Sequence, residues 1–152
     1  FTPYTAGFNS YIIPNMAYQK TFTYKTSGRG TYDITREINQ IIAQSGIEVG
    51  LCNLFIQHTS ASLIITENAD SDVRHDIETV LKRLAPDGDP EYRHDYEGDD
   101  DMSAHIRCIL TNDSLMVPVT NGRAALGTWQ GIYLYEHRTS RFNRNIVVTV
   151  MG

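Results

Sequence analysis

Residues 51–76 constrain the fold most, because one uninterrupted stretch combines two β-rich runs, a polar turn and the start of a helix. The first run, Leu51–Gln57, ends at His58, and the second covers Leu63–Thr66. Runs of this length and composition predict strands. The stretch therefore places a histidine and several hydroxyl groups at a strand end, which is typical either of a functional site or of a buried hairpin with a polar loop.

Apolar residues spaced three and four apart predict two longer helices. The first is predicted to begin near Asp33, which can cap it, and to stop at Gly46. Its apolar stripe consists of Ile34, Ile38, Ile41 and Ile42. The second has Asp70 as its predicted N-cap. Its stripe consists of Val73, Ile77, Val80, Leu81 and Leu84. A third, short helix over Met102–Ile109 is predicted to begin at Asp101.

The other strands are predicted near the two ends of the chain. They cover Ala17–Tyr24, Leu115–Val119, Ile132–Glu136 and Asn145–Val150. The dipeptide Asn121-Gly122 predicts a tight turn between strands. A late run of antiparallel hairpins together with two or three helices predicts an α+β fold with a mostly antiparallel or mixed sheet.

The length of 152 residues fits one domain with a sizeable core. We expect this domain to cover residues 16–152. Residues 1–15 have neither a helical nor a strand period and precede Met16, so we interpret them as an extension that the fold does not need. A functional arm is the alternative.

The net charge of −5 is unevenly distributed. Eight acidic residues and one arginine lie in the loop of residues 87–101, and outside it 12 basic residues face 10 acidic ones. A nucleic-acid surface needs a basic stripe, so we expect no nucleic-acid partner. No run of about 18 apolar residues predicts a membrane span. Cys52 and Cys108 lie in apolar surroundings, which favours free cysteines and a cytoplasmic location.

Three of the five histidines are candidate metal ligands. His58 ends a strand, His94 lies in the acidic loop and His105 lies on the short third helix. Zinc needs three or four N, O or S ligands, and the acidic loop adds negative potential that attracts a cation. We therefore predict a divalent metal, zinc or magnesium, at these residues. A structural role for each histidine, or an anion such as phosphate in the same pocket, is the alternative.

Other side chains are candidates for binding a phosphorylated substrate. Arg138, Arg141 and Arg144 offer planar forks for phosphate, unless they only form a solvated hairpin loop. Trp129 and Gln130 can stack on a ring and hydrogen-bond to it, unless the tryptophan belongs to the core.

Three stretches resemble the YjbQ family, whose members are also labelled secondary thiamine-phosphate synthases. They are HTSASLIITENADSDVRHD (58–76), HDYEGDDDMSAHI (94–106) and PVTNGRAALGTWQGIYLYEHR (118–138). The resemblance extends from about Met16 to Gly152. Asp101 and Met102 stand where many members have an asparagine and a small residue, so the resemblance assigns no role to those two side chains.

The resemblance implies a compact α+β domain, usually trimeric, with its site near a subunit boundary. It implies a catalytic group made of His58, Glu67, Asn68 and Asp70. The candidate residues for binding substrate or an anion are Thr59, Ser60, Trp129, Gln130 and Arg141. The implied reaction joins a pyrimidine pyrophosphate to a thiazole phosphate and releases pyrophosphate. A metal- or phosphometabolite-binding protein, or a phosphate-ester hydrolase, is the alternative.

Overall fold

The computed structural model describes residues 16–152. The predicted extension, Phe1–Asn15, lies outside the described residues, so its dispensability stays a prediction. The described strands are β1 (Ala17–Lys25), β2 (Gly30–Asp33), β3 (Val49–Ile56), β4 (Ala61–Glu67), β5 (Ser114–Thr120), β6 (Arg123–Ala124), β7 (Gln130–Glu136) and β8 (Asn143–Met151). The described helices are α1 (Thr35–Ser45), α2 (Ser71–Leu84) and α3 (Asp99–Leu110). None of these helices is long and apolar enough to cross a membrane.

The strands form two antiparallel sheets that share one core. The first sheet has the order β1-β8-β3-β5-β6, and the second has the order β2-β7-β4. Alternation along β4 and β7 gives the smaller sheet two apolar faces: Leu63 and Leu134 point into the main core, whereas Ile64 and Tyr133 pack near α2. The chain is thus a single α+β domain, as predicted.

Helix α1 follows its sequence signals closely. Its stripe of isoleucines lies in the main core, and Gly46 ends the helix with a φ of 70°. The predicted cap acts one residue away from its expected place. Ile34 occupies the N-cap position, while the Thr35 N–H donates to Asp33 Oδ1 at 2.9 Å.

Helix α2 has the predicted N-cap, because the Asp72 N–H donates to the Asp70 side chain at 2.9 Å. Its apolar stripe is only partly buried. Leu81 and Ile77 contact the smaller sheet, but Val80 and Leu84 are exposed. A helix lying on a sheet of only three strands has too narrow a surface to cover its whole stripe.

Helix α3 begins earlier than predicted, at Asp99, with Gly98 in the N-cap position. The interpretation of Asp101 as a helix cap is therefore wrong. Asp101 lies within the first turn, and its side chain is only 3% exposed. Three successive acids in the first turn conceal which of them starts the helix, because each one suits the positive end of the helix dipole.

Candidate functional site

His58 lies two residues after strand β3, and its ring already makes contacts within the chain. The Asn145 N–H donates to His58 Nε2 at 2.8 Å, and the Arg144 guanidinium lies 3.4 Å from Nδ1. Burial and the charge of Arg144 lower the pKa of His58. A neutral ring that accepts at Nε2 carries its proton on Nδ1. Neither nitrogen is therefore free to bind a metal without breaking these contacts.

A buried ion pair lies next to this histidine. Arg144 donates from Nε and Nη2 to the two carboxylate oxygens of Glu136, at 2.7 and 2.5 Å. Glu136 also accepts from the Thr26 hydroxyl and the Arg138 N–H. The face of the Phe142 ring lies 4.5 Å from the Arg144 guanidinium carbon. The guanidinium group of Arg144, which was predicted to bind phosphate, is thus already paired with a carboxylate of the same chain.

The structure brings together two of the three predicted metal ligands, His94 and His105, around Asp101. The Asp101 Oδ2 atom lies 2.7 Å from His94 Nε2 and 3.3 Å from His105 Nε2. The potential ligand atoms of these three residues all lie within 4.8 Å of one another. His58 is not part of this cluster. The third member of the cluster is Asp101, where the sequence-based prediction had placed His58.

The orientation of His105 is fixed from its other side. His105 Nδ1 lies 2.8 Å from the carbonyl oxygen of Thr59, which can only accept. Nδ1 therefore carries a proton, and the lone pair of a neutral ring lies on Nε2, facing Asp101. This arrangement is the one by which proteins orient metal-binding histidines. Sequence reasoning missed Asp101, although its i,i+4 spacing to His105 places both residues on one face of α3.

A pocket of about 470 Å³ opens beside this cluster. It is lined by His58, Thr59, His105, Cys108, Ile109 and Thr111, with Asp113 at its edge. A second pocket of about 480 Å³ adjoins it and shares His58, Thr59 and Asp113. Burial raises the pKa of the Cys108 thiol to about 12, so this thiol is protonated near neutral pH.

The remaining predicted site residues lie elsewhere. Glu67 pairs with Gln130 at the far end of the β4–β7 ladder, whereas Ala61, next to Ser60, pairs with Glu136 at the near end. The two ends of β4, Ala61 and Glu67, are six positions apart, a distance of roughly 20 Å along an extended strand. Within one chain, the structure therefore does not bring Glu67, Asn68 and Asp70 to the histidines.

The polar groups at this far end mostly satisfy local backbone. Glu67 accepts from the Ala69 and Asp70 N–H groups, and Asn68 donates to the Thr128 and Gln130 carbonyls. The Gln130 side chain accepts from the Gly127 N–H at 2.8 Å. At this end of the sheet, these side chains stabilise the local turn through hydrogen bonds to the backbone.

Two further predicted binding residues are exposed, and a third contributes its backbone. Trp129 is exposed at the far end, so it is not a core tryptophan. Arg141 is exposed beside Lys25 and Phe142. Ser60 offers its carbonyl oxygen to the His137 N–H and to Arg144 Nη2, both at 3.3 Å.

The fold and the pocket define an α+β protein with a histidine–carboxylate cluster on α3 and the loop before it, beside the turn between β3 and β4. The sequence profile of the YjbQ family, described as UPF0047 protein YjbQ-like, matches residues 20–152. The chain belongs to this family. It is 47% identical over 138 residues to the UPF0047 protein YjbQ of Escherichia coli O157:H7, covering 90% of this chain and 99% of that protein. It is 44% identical over 135 residues to a UPF0047 protein of Synechocystis sp., covering 89% of this chain and 92% of that protein.

Solved structures of similar proteins have the same fold. A YjbQ/UPF0047 family protein of Clostridium acetobutylicum, described as uncharacterized, matches with a TM-score of 0.78 and 36% identity, covering 86% of this chain and 98% of that one. A hypothetical protein of Aeropyrum pernix K1 matches with a TM-score of 0.80 and 28% identity, covering 89% of this chain and 98% of that one. The family assignment fixes the fold, and it carries no established reaction with it.

Proposed function

We propose that the protein is an enzyme that uses a divalent metal, held by His94, Asp101 and His105, to act on a small phosphorylated metabolite. The observation that carries this proposal is the convergence of two imidazole nitrogens on one carboxylate oxygen beside a pocket. Two nitrogen donors and one oxygen donor suit zinc, whereas magnesium prefers oxygen ligands. Of the two predicted metals, zinc therefore fits better.

Three protein ligands leave a coordination position for substrate or water, which is typical of catalytic rather than structural zinc sites. A metal bound there would polarise a phosphoryl oxygen and offset its charge. The chain itself supplies the orientation of His105 through the Thr59 carbonyl, and the pocket walls that hold the substrate. His58 contributes a neutral ring beside Arg144.

The finer proposal is transfer of the thiamine-phosphate synthase type, which joins a pyrimidine pyrophosphate to a thiazole phosphate. Two adjoining pockets of similar volume, which share His58, Thr59 and Asp113 in their lining, support a reaction with two ring-bearing substrates. Holding two reactants side by side is itself a large part of the catalysis of such a reaction. The alternatives, phosphate-ester hydrolysis or binding without reaction, are distinguished by the product assay below. The two free cysteines fit the proposed cytoplasmic location.

We predict that metal content depends on Asp101 and His105 but not on His58. Protein purified without a His-tag should contain close to one zinc per chain by elemental analysis. Asp101→Ala and His105→Ala should retain less than about a tenth of it, because each removes one of three ligands. His58→Gln should retain it, because the His58 ring faces Asn145 and Arg144. His75→Ala, at an exposed histidine of α2, is the matched control. Equal metal content in all five proteins would show that the ligands lie elsewhere.

The same proteins then test the reaction. Wild-type protein incubated with the pyrimidine pyrophosphate and the thiazole phosphate should release pyrophosphate and form thiamine phosphate. Release of orthophosphate from single phosphorylated metabolites would instead support a hydrolase. Metal binding without formation of either product would support the third alternative, a protein that binds its ligand without a reaction.

We also propose that the protein is a homotrimer, with self-association through the outer face of the larger sheet. Outward-facing Leu51, Phe55, Met116 and Met151 are each at least 40% exposed. Strand pairing places them side by side, because Leu51 pairs with Met151 and Asn53 pairs with Met116. No outward position of β3, β5 or β8 carries a charge, so copies of the chain can meet there without repulsion. Phe55 on this face also lines the second pocket, so the proposed contact lies close to the site.

Light scattering at micromolar concentration is expected to give the mass of three chains. The double variant Phe55→Lys/Met116→Lys should give the mass of one chain, because it places charges in the apolar contact. Lys20→Met, on the edge strand β1, is the control for a changed charge on the same sheet. If the wild-type protein has the measured mass of a single chain, the trimer proposal is wrong.

A further inference from the structure

The residue that follows strand β7 by two positions, Arg138, lies against the metal cluster without belonging to it. We propose that Arg138 is a positioning residue that fixes Asp101 for metal binding and seats the loop that carries His94. This inference rests on the metal site proposed above and adds what keeps that site assembled.

All three guanidinium nitrogens of Arg138 bind one short segment, residues 97–101. Nη1 donates to Asp101 Oδ1 at 2.5 Å, Nε donates to Asp100 Oδ2 at 3.2 Å and Nη2 donates to the Glu97 carbonyl at 2.9 Å. The neighbouring Thr139 adds two donors to Asp100, from its N–H and its hydroxyl. A planar fork with three separate acceptors fixes the orientation of this segment, which a lysine cannot do.

The contact with Asp101 decides how that carboxylate can bind a metal. Its side chain is only 3% exposed, and Arg138 occupies Oδ1. The other oxygen, Oδ2, is the one that faces both histidines. Arg138 therefore prevents the carboxylate from rotating and leaves a single oxygen for the metal. Partners of this kind orient ligands, and their loss typically weakens metal binding.

The contact with Glu97 concerns a second ligand, His94. Within the described residues, the His94 ring forms one hydrogen bond to a protein group, and its partner is Asp101 Oδ2. Its loop joins α2 to α3, and Arg138 holds the end of that loop at Glu97. By contrast, His105 lies on α3 and is oriented by Thr59. Loss of Arg138 should therefore loosen two of the three ligands.

A simple charge effect would have the opposite sign. Arg138 is a cation close to a cation site, so removing its charge alone should strengthen the binding of a metal ion. The positioning role predicts weaker binding instead. The direction of the change thus separates the two effects.

The test is the affinity of metal-free protein for Zn²⁺ and for Co²⁺, measured by competition with a chromophoric chelator. Arg138→Gln and Arg138→Lys should bind both ions about 10–100-fold more weakly than wild type. Their Co²⁺ absorption bands should also shift, because the ligand geometry changes, and a purely structural defect in folded protein would not move them. Arg141→Gln removes the same charge from the same connecting segment and should bind within about twofold of wild type or slightly more tightly.

Circular dichroism first establishes that each variant is folded. If Arg138→Gln is too unstable to measure, Arg138→Lys is used instead, because the lysine keeps the positive charge opposite Asp101. Wild-type affinity or tighter binding in the Arg138 variants would overturn the positioning role while leaving the metal site intact. If wild-type protein binds neither ion, the proposed metal site is wrong and this inference is wrong with it.

Discussion

Replacing Arg144 with methionine is expected to lower the free energy of unfolding by roughly 3–5 kcal/mol, because it leaves a carboxylate without its partner in the core. Glu136 is fully buried and Arg144 nearly so, and two short hydrogen bonds join them. Removing one member of such a pair leaves the other with its full desolvation cost. Urea unfolding at pH 7 and fixed protein concentration measures the effect.

A second variant separates the charge from the packing. In Glu136→Gln/Arg144→Met, the buried charge is gone, and the single glutamine oxygen can still accept from one of the two donors, the Thr26 hydroxyl or the Arg138 N–H. The double variant should therefore be more stable than Arg144→Met alone. Arg83→Met, at an exposed arginine of α2, should stay within about 0.5 kcal/mol of wild type. A cost below about 1 kcal/mol for Arg144→Met would contradict the argument.

The same substitution connects the core to the pocket. The Arg144 charge is one of the causes that lower the pKa of His58. Its removal should raise the pKa of this histidine, which an NMR titration of its ring can follow.

Local signals explain why helices α1 and α2 were predictable from the sequence. The isoleucine stripe of α1, its stop at Gly46 and the cap of α2 at Asp70 each depend on residues within one or two helical turns. The start of α3 was predicted wrongly because the prediction considered only these local signals. Asp101 resembles a cap when only its neighbours are considered, but its environment is set by Arg138, 37 positions away.

The candidate site was predictable only in part, because its geometry depends on strand register. His58 and Glu67 are close in sequence, and the family resemblance implies that they belong to one site. The β4–β7 register instead separates the ends of β4 and pairs Ala61 with Glu136. His94 and His105 were predicted to meet, and they do, because the loop folds back onto α3. Their actual partner, Asp101, became visible only with the helix in place.

The exposed residues show a different limit. Phe55, Met116 and Trp129 are apolar, and a sequence pattern assigns such residues to a core by default. Which face of a sheet stays open depends on how many layers cover it. The larger sheet is covered on one side only within the described residues, and this follows from the topology of all its strands.

The stability of the protein should fall as the pH falls from about 6.5, because His137 is buried in its neutral form. Its ring lies in the core, with Nε2 2.8 Å from the Ser62 hydroxyl and the ring centre 4.5 Å from that of Tyr135. Burial, and then the charges of Arg107, Arg29 and Arg144, lower its pKa to about 3. The unfolded chain binds the proton near pH 6.5, so unfolding takes up a proton between these two values.

The sign and size follow from this difference. The contribution of His137 to stability is complete above about pH 6.5 and is lost progressively as the pH approaches 3. Between pH 7 and pH 4.5 the loss is about 2.5 kcal/mol from this one group. The lowered pKa values of Asp87 and Asp100 act in the same direction but mainly below pH 4.5. His58 contributes a smaller loss of the same sign in the upper range, because its ring is partly exposed.

Urea unfolding at half-unit intervals from pH 7 to pH 4.5 measures the slope. His137→Gln keeps a hydrogen-bonding side chain for Ser62 but cannot titrate, so its stability should change much less with pH than that of wild type. His75→Gln removes an exposed histidine and should leave the wild-type slope intact. Wild-type stability that is flat over this range, or an unchanged slope in His137→Gln, would show that the core does not hold this histidine in its neutral form.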